Sequence, residues 1–138
     1  MPKDVVETQF FKTWLEEDGI VYSEVVKGSD ITLEVAIEQL EIIRKLSKSN
    51  KKVPLFVDSL HIGSMSRDAR LYFTGEESFK TVSAVAILVG GPISKVIGNF
   101  FIGLNKGGYP NKLFDAKEDA VEWLKGFLNE QYSVSGKY

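Results

Sequence analysis

A chain of 138 residues, 43% hydrophobic and 26% charged with a net charge of −2, is expected to form one globular domain, and folding at that length buries roughly two-thirds of the unfolded surface. This composition excludes disordered and fibrous chains, the charge gives no long-range pull toward phosphate backbones, and the absence of cysteine removes disulfides, thiolate metal sites and a cysteine nucleophile together. The N-terminal MPKDVVETQF lacks the apolar centre of a signal peptide, and no apolar run reaches the roughly 18 to 20 residues of a membrane span, so a cytoplasmic location is expected by elimination.

Thr8 to Leu15 and Ile20 to Val26 read as strands. Glu16-Glu17-Asp18-Gly19 between them ends in Asp-Gly, a strong hairpin signal, so the pair is predicted antiparallel. Gly28 to Asp30 breaks the second strand, and Thr32 is placed to cap a helix that runs to about Ser47 with Glu34 in its first turn. Leu33, Ala36, Ile37, Leu40, Ile43 and Leu46 make its predicted inward face, with Glu34, Glu38, Glu41 and Lys45 opposite. The one dense basic cluster, Lys45, Lys48, Lys51 and Lys52, sits at this helix end, where cations favour the dipole; no nucleic-acid partner is expected. Val53 to Asp58 is short, apolar and entered through proline, and a helical crossover before it implies parallel pairing. After the loop Ser59 to Met65, Ser66 reads as a helix N-cap with Asp68 in the first turn, and Thr74-Gly75-Glu76-Glu77 has capping-box spacing for a second short helix.

Val82 to Val89 is an almost unbroken apolar run, as suits a parallel strand covered on both faces. Gly90 and Gly91 end it, Pro92 fits the first position of the next helix, and Ile93, Val96, Ile97, Phe100 and Leu104 are its predicted inward stripe, with Ser94, Lys95 and Asn105 outward. Gly107 and Gly108 supply the stop. A short strand at Lys112 to Phe114 precedes a last helix opened by Asp115 and Glu118, whose stripe is Ala120, Val121, Leu124, Phe127 and Leu128. The expectation is a single α/β domain over residues 1–138, with its core at about 8–129 and a flexible tail at 131–138. Its order is β-β-α-β-α-β-α-β-α: a mixed, mostly parallel sheet of about five strands with about four flanking helices.

In open α/β sheets ligands are met at the C-terminal ends of the strands, which selects two loops, Asp58 to Arg67 and Gly90 to Lys95. Asp58, Ser59 and His61 are residue types of a hydrolytic triad, yet they stand too close in sequence to align, and no G-x-S-x-G elbow occurs. His61 is the single histidine, so no metal is expected. Gly91 opens a helix that carries Ser94 and Lys95 in its first turn, a candidate anion or ligand site together with Asp58 and His61.

The run VPLFVDSLHIGSMSRDAR, followed by VSAVAILVGGPISKVIGNFF in this order of elements, resembles the SpoIIAA-like or STAS group, domains shared by anti-sigma-factor antagonists and the tails of sulphate transporters; the likeness spans about Phe10 to Leu128. The resemblance implies a non-enzymatic regulatory or protein-binding module without cofactor, acting through an unknown protein partner. In the antagonists a serine in a D-S-S-G-like pattern at the start of the helix after the third strand is phosphorylated. The corresponding stretch here is Ser66-Arg67-Asp68-Ala69, so Ser64, Ser66, Arg67 and Arg70 are the partner or switch candidates. A second expectation is a small apolar or lipid-like ligand held between helices and sheet, and a homodimer is left open.

Overall fold

The first turn is dictated by Gly19, whose φ of +88° is a left-handed conformation that glycine adopts without a Cβ penalty. Across it the Glu16 N–H donates to the Ile20 carbonyl at 3.0 Å, and β2 (Phe11–Leu15) folds back antiparallel on β3 (Val21–Val25). A computed structural model describes residues 4–47, 51–104 and 108–136. A two-residue strand, β1 (Val6–Glu7), extends the hairpin outward. It is set off from β2 by a turn in which Thr8 Oγ1 accepts from the N–H groups of Phe10 at 3.1 Å and Phe11 at 3.0 Å.

From β3 onward each strand of this sheet is reached by a crossover and pairs in parallel: β5 (Val53–Asp58) beside β3, β7 (Val82–Leu88) beside β5, and β8 (Asn111–Phe114) beside β7. Among the described residues the order β1-β2-β3-β5-β7-β8 gives six strands, one more than predicted, the extra being β1. The β7 strand has neighbours on both sides, and all its residues except Ser83 are buried, which is why its sequence shows no polar alternation. A separate parallel ribbon, absent from the sequence reading, joins β4 (Asp30–Ile31) to β6 (Ser64–Met65).

Side-chain alternation splits the core into two layers. On one face α5 (Lys117–Gly136) sets Ala120 and Leu124, both 0% exposed, against Tyr22, Phe56, Ala84, Ala86 and Leu88. Its helical backbone continues through residues 131–136. The other face is covered by α1 (Leu33–Ser47), α2 (Arg67–Phe73), α3 (Glu76–Thr81) and α4 (Pro92–Leu104), over Val21, Leu55, Val85 and Ile87. Lys48, the Asn105 to Gly107 segment and the side chains of Phe100 and Leu104 lie outside the described residues.

Three helices differ locally from their predicted settings. The inward stripe of α4 is rotated: Ile93 is 55% and Val96 57% exposed, whereas Ser94 is 1% exposed and Gly98 is buried. Two needs turn the helix. Ser94 Oγ reaches back to accept the N–H groups of Gly90 at 3.0 Å and Gly91 at 3.2 Å, as the returning arm of a capping box does. Gly98 lies where a Cβ would come within 2.9 Å of Leu113 Cδ2 and 3.1 Å of Val89 Cγ1, so glycine lets α4 press onto the end of the sheet. In α1 the buried set is Val35, Ala36, Gln39, Leu40, Ile43 and Leu46, while Ile37 is 45% exposed. Thr74 closes α2, donating to the Arg70 carbonyl at 3.0 Å, and α3 starts after Gly75 with no side-chain cap.

Candidate functional site

The chain leaving β5 is fastened at both ends. Ser59 is buried, and its Oγ donates to the Leu88 carbonyl at 2.8 Å, tying the loop to the neighbouring strand. Asp58 Oδ1 accepts from the Leu60 N–H at 3.1 Å. His61 is exposed, and its carbonyl accepts from the Gly28 N–H at 2.8 Å. The triad types therefore do not converge: the hydroxyl is buried against β7 while the imidazole faces solvent.

Beyond His61 the chain runs against the turn that leaves β3. The N–H groups of Gly63 and Ser64 both donate to the Ser29 carbonyl, at 2.9 and 3.1 Å, and Ser64 Oγ donates to Asp30 Oδ1 at 2.7 Å. Ser66 caps α2 as its sequence position predicts, its Oγ accepting from the Ala69 N–H at 3.1 Å. Ser66→Ala should therefore lower stability by about 1 kcal/mol in chemical denaturation, with the transition slope unchanged. Arg67 is exposed, whereas Arg70 lies half-buried with Nη1 donating to the Met65 carbonyl at 2.8 Å. Ser66 and Arg70 thus serve the fold, while Ser64 and Arg67 are exposed.

The second loop brings Gly91, Ser94 and Lys95 to the start of α4, with Lys95 exposed. The Gly90 and Gly91 amides, which an anion would need, are held by Ser94 Oγ. Leu60 leans over the same turn, where a Cβ on Gly90 would meet its Cδ2 at 2.5 Å.

Two hollows flank α4. Outside, between β6 and α4, an open groove of about 380 Å³ is lined by Gly63, Ser64, Met65, Pro92, Ile93, Val96 and Ile97. Inside, between the sheet and the helices of the α1–α4 face, lies a cavity of about 70 Å³, almost wholly apolar. That volume is several times the ~10–15 Å³ that holds one water and about half the ~150 Å³ of an engineered cavity that takes benzene. Met65 and Ile97 line both hollows. Phe73 borders the cavity, and the side chains of Phe100 and Phe101 lie outside the described residues.

Three hydroxyls at the cavity wall donate away from it: Ser59 to the Leu88 carbonyl at 2.8 Å, Ser78 to the Tyr72 carbonyl at 3.2 Å and Tyr109 to the Phe73 carbonyl at 2.6 Å. Burial pushes the Tyr109 phenol well above its usual range, so it stays a neutral donor. Gln39 behaves differently. It is 3% exposed, its Nε2 donates to Thr13 Oγ1 at 2.8 Å and Ser23 Oγ at 2.9 Å, and its Oε1 has no hydrogen-bond partner among the described residues. A buried amide oxygen in that condition costs about 1–3 kcal/mol. Gln39 stands three residues after Ala36 and four before Ile43, a spacing that by itself puts it on the buried stripe of α1.

A family model described as a domain of unknown function, DUF7793, matches residues 13–128. The chain belongs to this family. A solved structure similar to this DUF7793 chain is that of an uncharacterized protein from the DUF3478 family with a SpoIIAA-like fold, from Shewanella loihica PV-4. The likeness has a TM-score of 0.58 and covers 88% of this chain and 90% of that one, at 18% identity. At such identity the likeness is one of fold, and the DUF7793 chain has the SpoIIAA-like architecture that the sequence resemblance implied. No curated protein matches it. Among the described residues, no group of three or more histidine or carboxylate side chains could hold a metal ion, and no helix is long and apolar enough to cross a membrane.

Proposed function

We propose that the DUF7793 domain is a non-enzymatic binding module of STAS type, and that its partner surface is the groove between β6 and α4. The observation that carries this is the outward setting of Ile93 and Val96, 55% and 57% exposed on a helix whose inward side is set by Ser94 and Gly98. Two branched apolar side chains one turn apart, above an open apolar groove, match the anchor spacing of helix-in-groove recognition. The occupant is an amphipathic helix of a partner protein. The carboxylate of Asp30, bonded to Ser64 at the groove edge, suits a lysine or arginine beside the partner's apolar anchors. A net charge of −2 argues against an anionic membrane as the occupant. Of the switch candidates Ser64 lines the groove, and Ser66 and Arg67 follow the groove-lining Met65 directly in the chain.

Photo-crosslinkers placed at Val96 and, as a control, at exposed Ile37 on α1 test the reading in cells. A protein crosslinked at position 96, absent at position 37 and lost with Ile93→Glu is expected, with affinity falling at least tenfold for the charged variant and less for Asp30→Asn. Equal crosslinking at both positions, or binding indifferent to Ile93→Glu, overturns it. Crosslinking only to a second copy of the chain would replace the partner by a homodimer.

A further inference from the structure

Met65 on β6 and Ile97 on α4 line both the outer groove and the interior cavity, and each is half-buried, as side chains standing between the two would be. Ile97 follows Ile93 by about one helical turn on the stripe that also carries Val96, so groove and cavity come together along the apolar track that a docked helix would cover. Behind that pair the polar residues of the wall are engaged with the protein. Ser59, Ser78 and Tyr109 donate their hydroxyl protons to backbone carbonyls, and Ser23 and Gln39 are bonded to each other, so carbon lines the space itself. A cavity so lined offers water few partners, and its wall atoms lack contacts on one side. At about 70 Å³ it is about half the ~150 Å³ that takes the six carbons of benzene, so it has room for about three or four carbon atoms. That is the branched end of a leucine. A phenyl or indole ring is too large, and a charged side chain would lose its hydration with no opposite charge among the described residues of the wall.

We propose, resting on the reading that a partner helix fills the groove, that this helix carries one leucine-sized aliphatic side chain, which passes between Met65 and Ile97 and seats its branched end in the cavity. The cavity is then the hot spot of the interface: Ile93 and Val96 hold the helix along the groove, while the inserted side chain gains full burial, roughly fourfold in affinity for each methylene. Methionine, unbranched and with three rotatable bonds, is the member of the Met65–Ile97 pair suited to swing aside and repack around what enters. Selectivity follows from volume: an alanine anchor leaves the space unfilled, and phenylalanine or tryptophan does not fit it.

Two hydrocarbons stand in for the side chains, isobutane for leucine and toluene for phenylalanine. Each is titrated into the full chain while NMR follows the methyl groups of Ile43 and Ile87 at the cavity wall and of Ile97 between cavity and groove. Isobutane should shift all three, and toluene at the same free concentration should leave Ile43 and Ile87 unmoved. Val57→Ile combined with Val85→Ile adds two methylenes to the cavity wall. This filled variant should lose the isobutane shifts and cut crosslinking from position 96 about tenfold, in line with two methylenes of lost burial. Crosslinking that falls with Ile93→Glu but not with the filled wall overturns the anchor and leaves the groove reading standing, whereas crosslinking indifferent to Ile93→Glu removes both. If the filled variant does not fold, the wild-type comparison decides: no shift with isobutane, or equal shifts at Ile43 and Ile87 with toluene, overturns the proposal.

Discussion

Gly63→Ala should be among the most damaging small substitutions in the chain, lowering stability by about 3 kcal/mol, the upper part of the range for overpacked sites. A Cβ there would come within 2.5 Å of the Gly28 carbonyl oxygen, 2.8 Å of its carbon and 2.9 Å of the Ser29 oxygen. All three are backbone atoms, which cannot swing away as a flexible side chain would. The same approach supports the bonds from Gly63 and Ser64 to the Ser29 carbonyl, and so the ribbon of β4 and β6 that forms one wall of the groove. Urea denaturation together with amide exchange at Gly63 and Ser64 reads the effect. Wild-type stability in the variant would show that the two segments are not packed as described.

Leu124→Ala carries the second large expectation, a loss of about 2–5 kcal/mol and a fall in melting temperature of roughly 10 °C. Leu124 is 0% exposed and packs in the α5 layer against a sheet face built partly from Ala84 and Ala86. Small residues on the sheet bring helix and strands close together but leave few side-chain atoms able to relax into a void, so the cavity term persists. Calorimetry decides it. A drop below about 1 kcal/mol would mean that α5 is held mainly by its aromatic side chains, with Trp123 and Phe127 in edge contact at 4.8 Å between ring centres.

Elements governed by neighbours in sequence were legible. The Asp18-Gly19 turn, the Ser66 cap and the apolar run of β7 each announce themselves within a few residues, and the structure places all three where they were expected. The α4 stripe was not legible, because its rotation is set by Val89 and Leu113 pressing on Gly98 and by the demand of Gly90 and Gly91 on Ser94. Periodicity alone favoured burying Ile93 and Val96, which instead became the exposed wall of the groove. Gln39 escaped for the same reason: its partners, Thr13 and Ser23, lie 26 and 16 residues away. The β4–β6 ribbon pairs segments of two residues each, too short for any strand pattern. The site was thus less readable than the scaffold, since the groove and cavity arise where segments remote in sequence meet.

The lengths of the outermost strands bear on self-association. Among the described residues the sheet ends in two residues of β1 on one side and four of β8 on the other. Few backbone donors and acceptors are left at either margin, and β8 adds an exposed lysine, Lys112, in its middle. Short and charged margins of this kind discourage a second molecule from adding its own strand, the route by which many sheet proteins polymerise. Copies of this chain that do meet in solution would meet through helices and loops, and the fold should stay free of fibril-like growth at concentrations where an open, long margin would seed it.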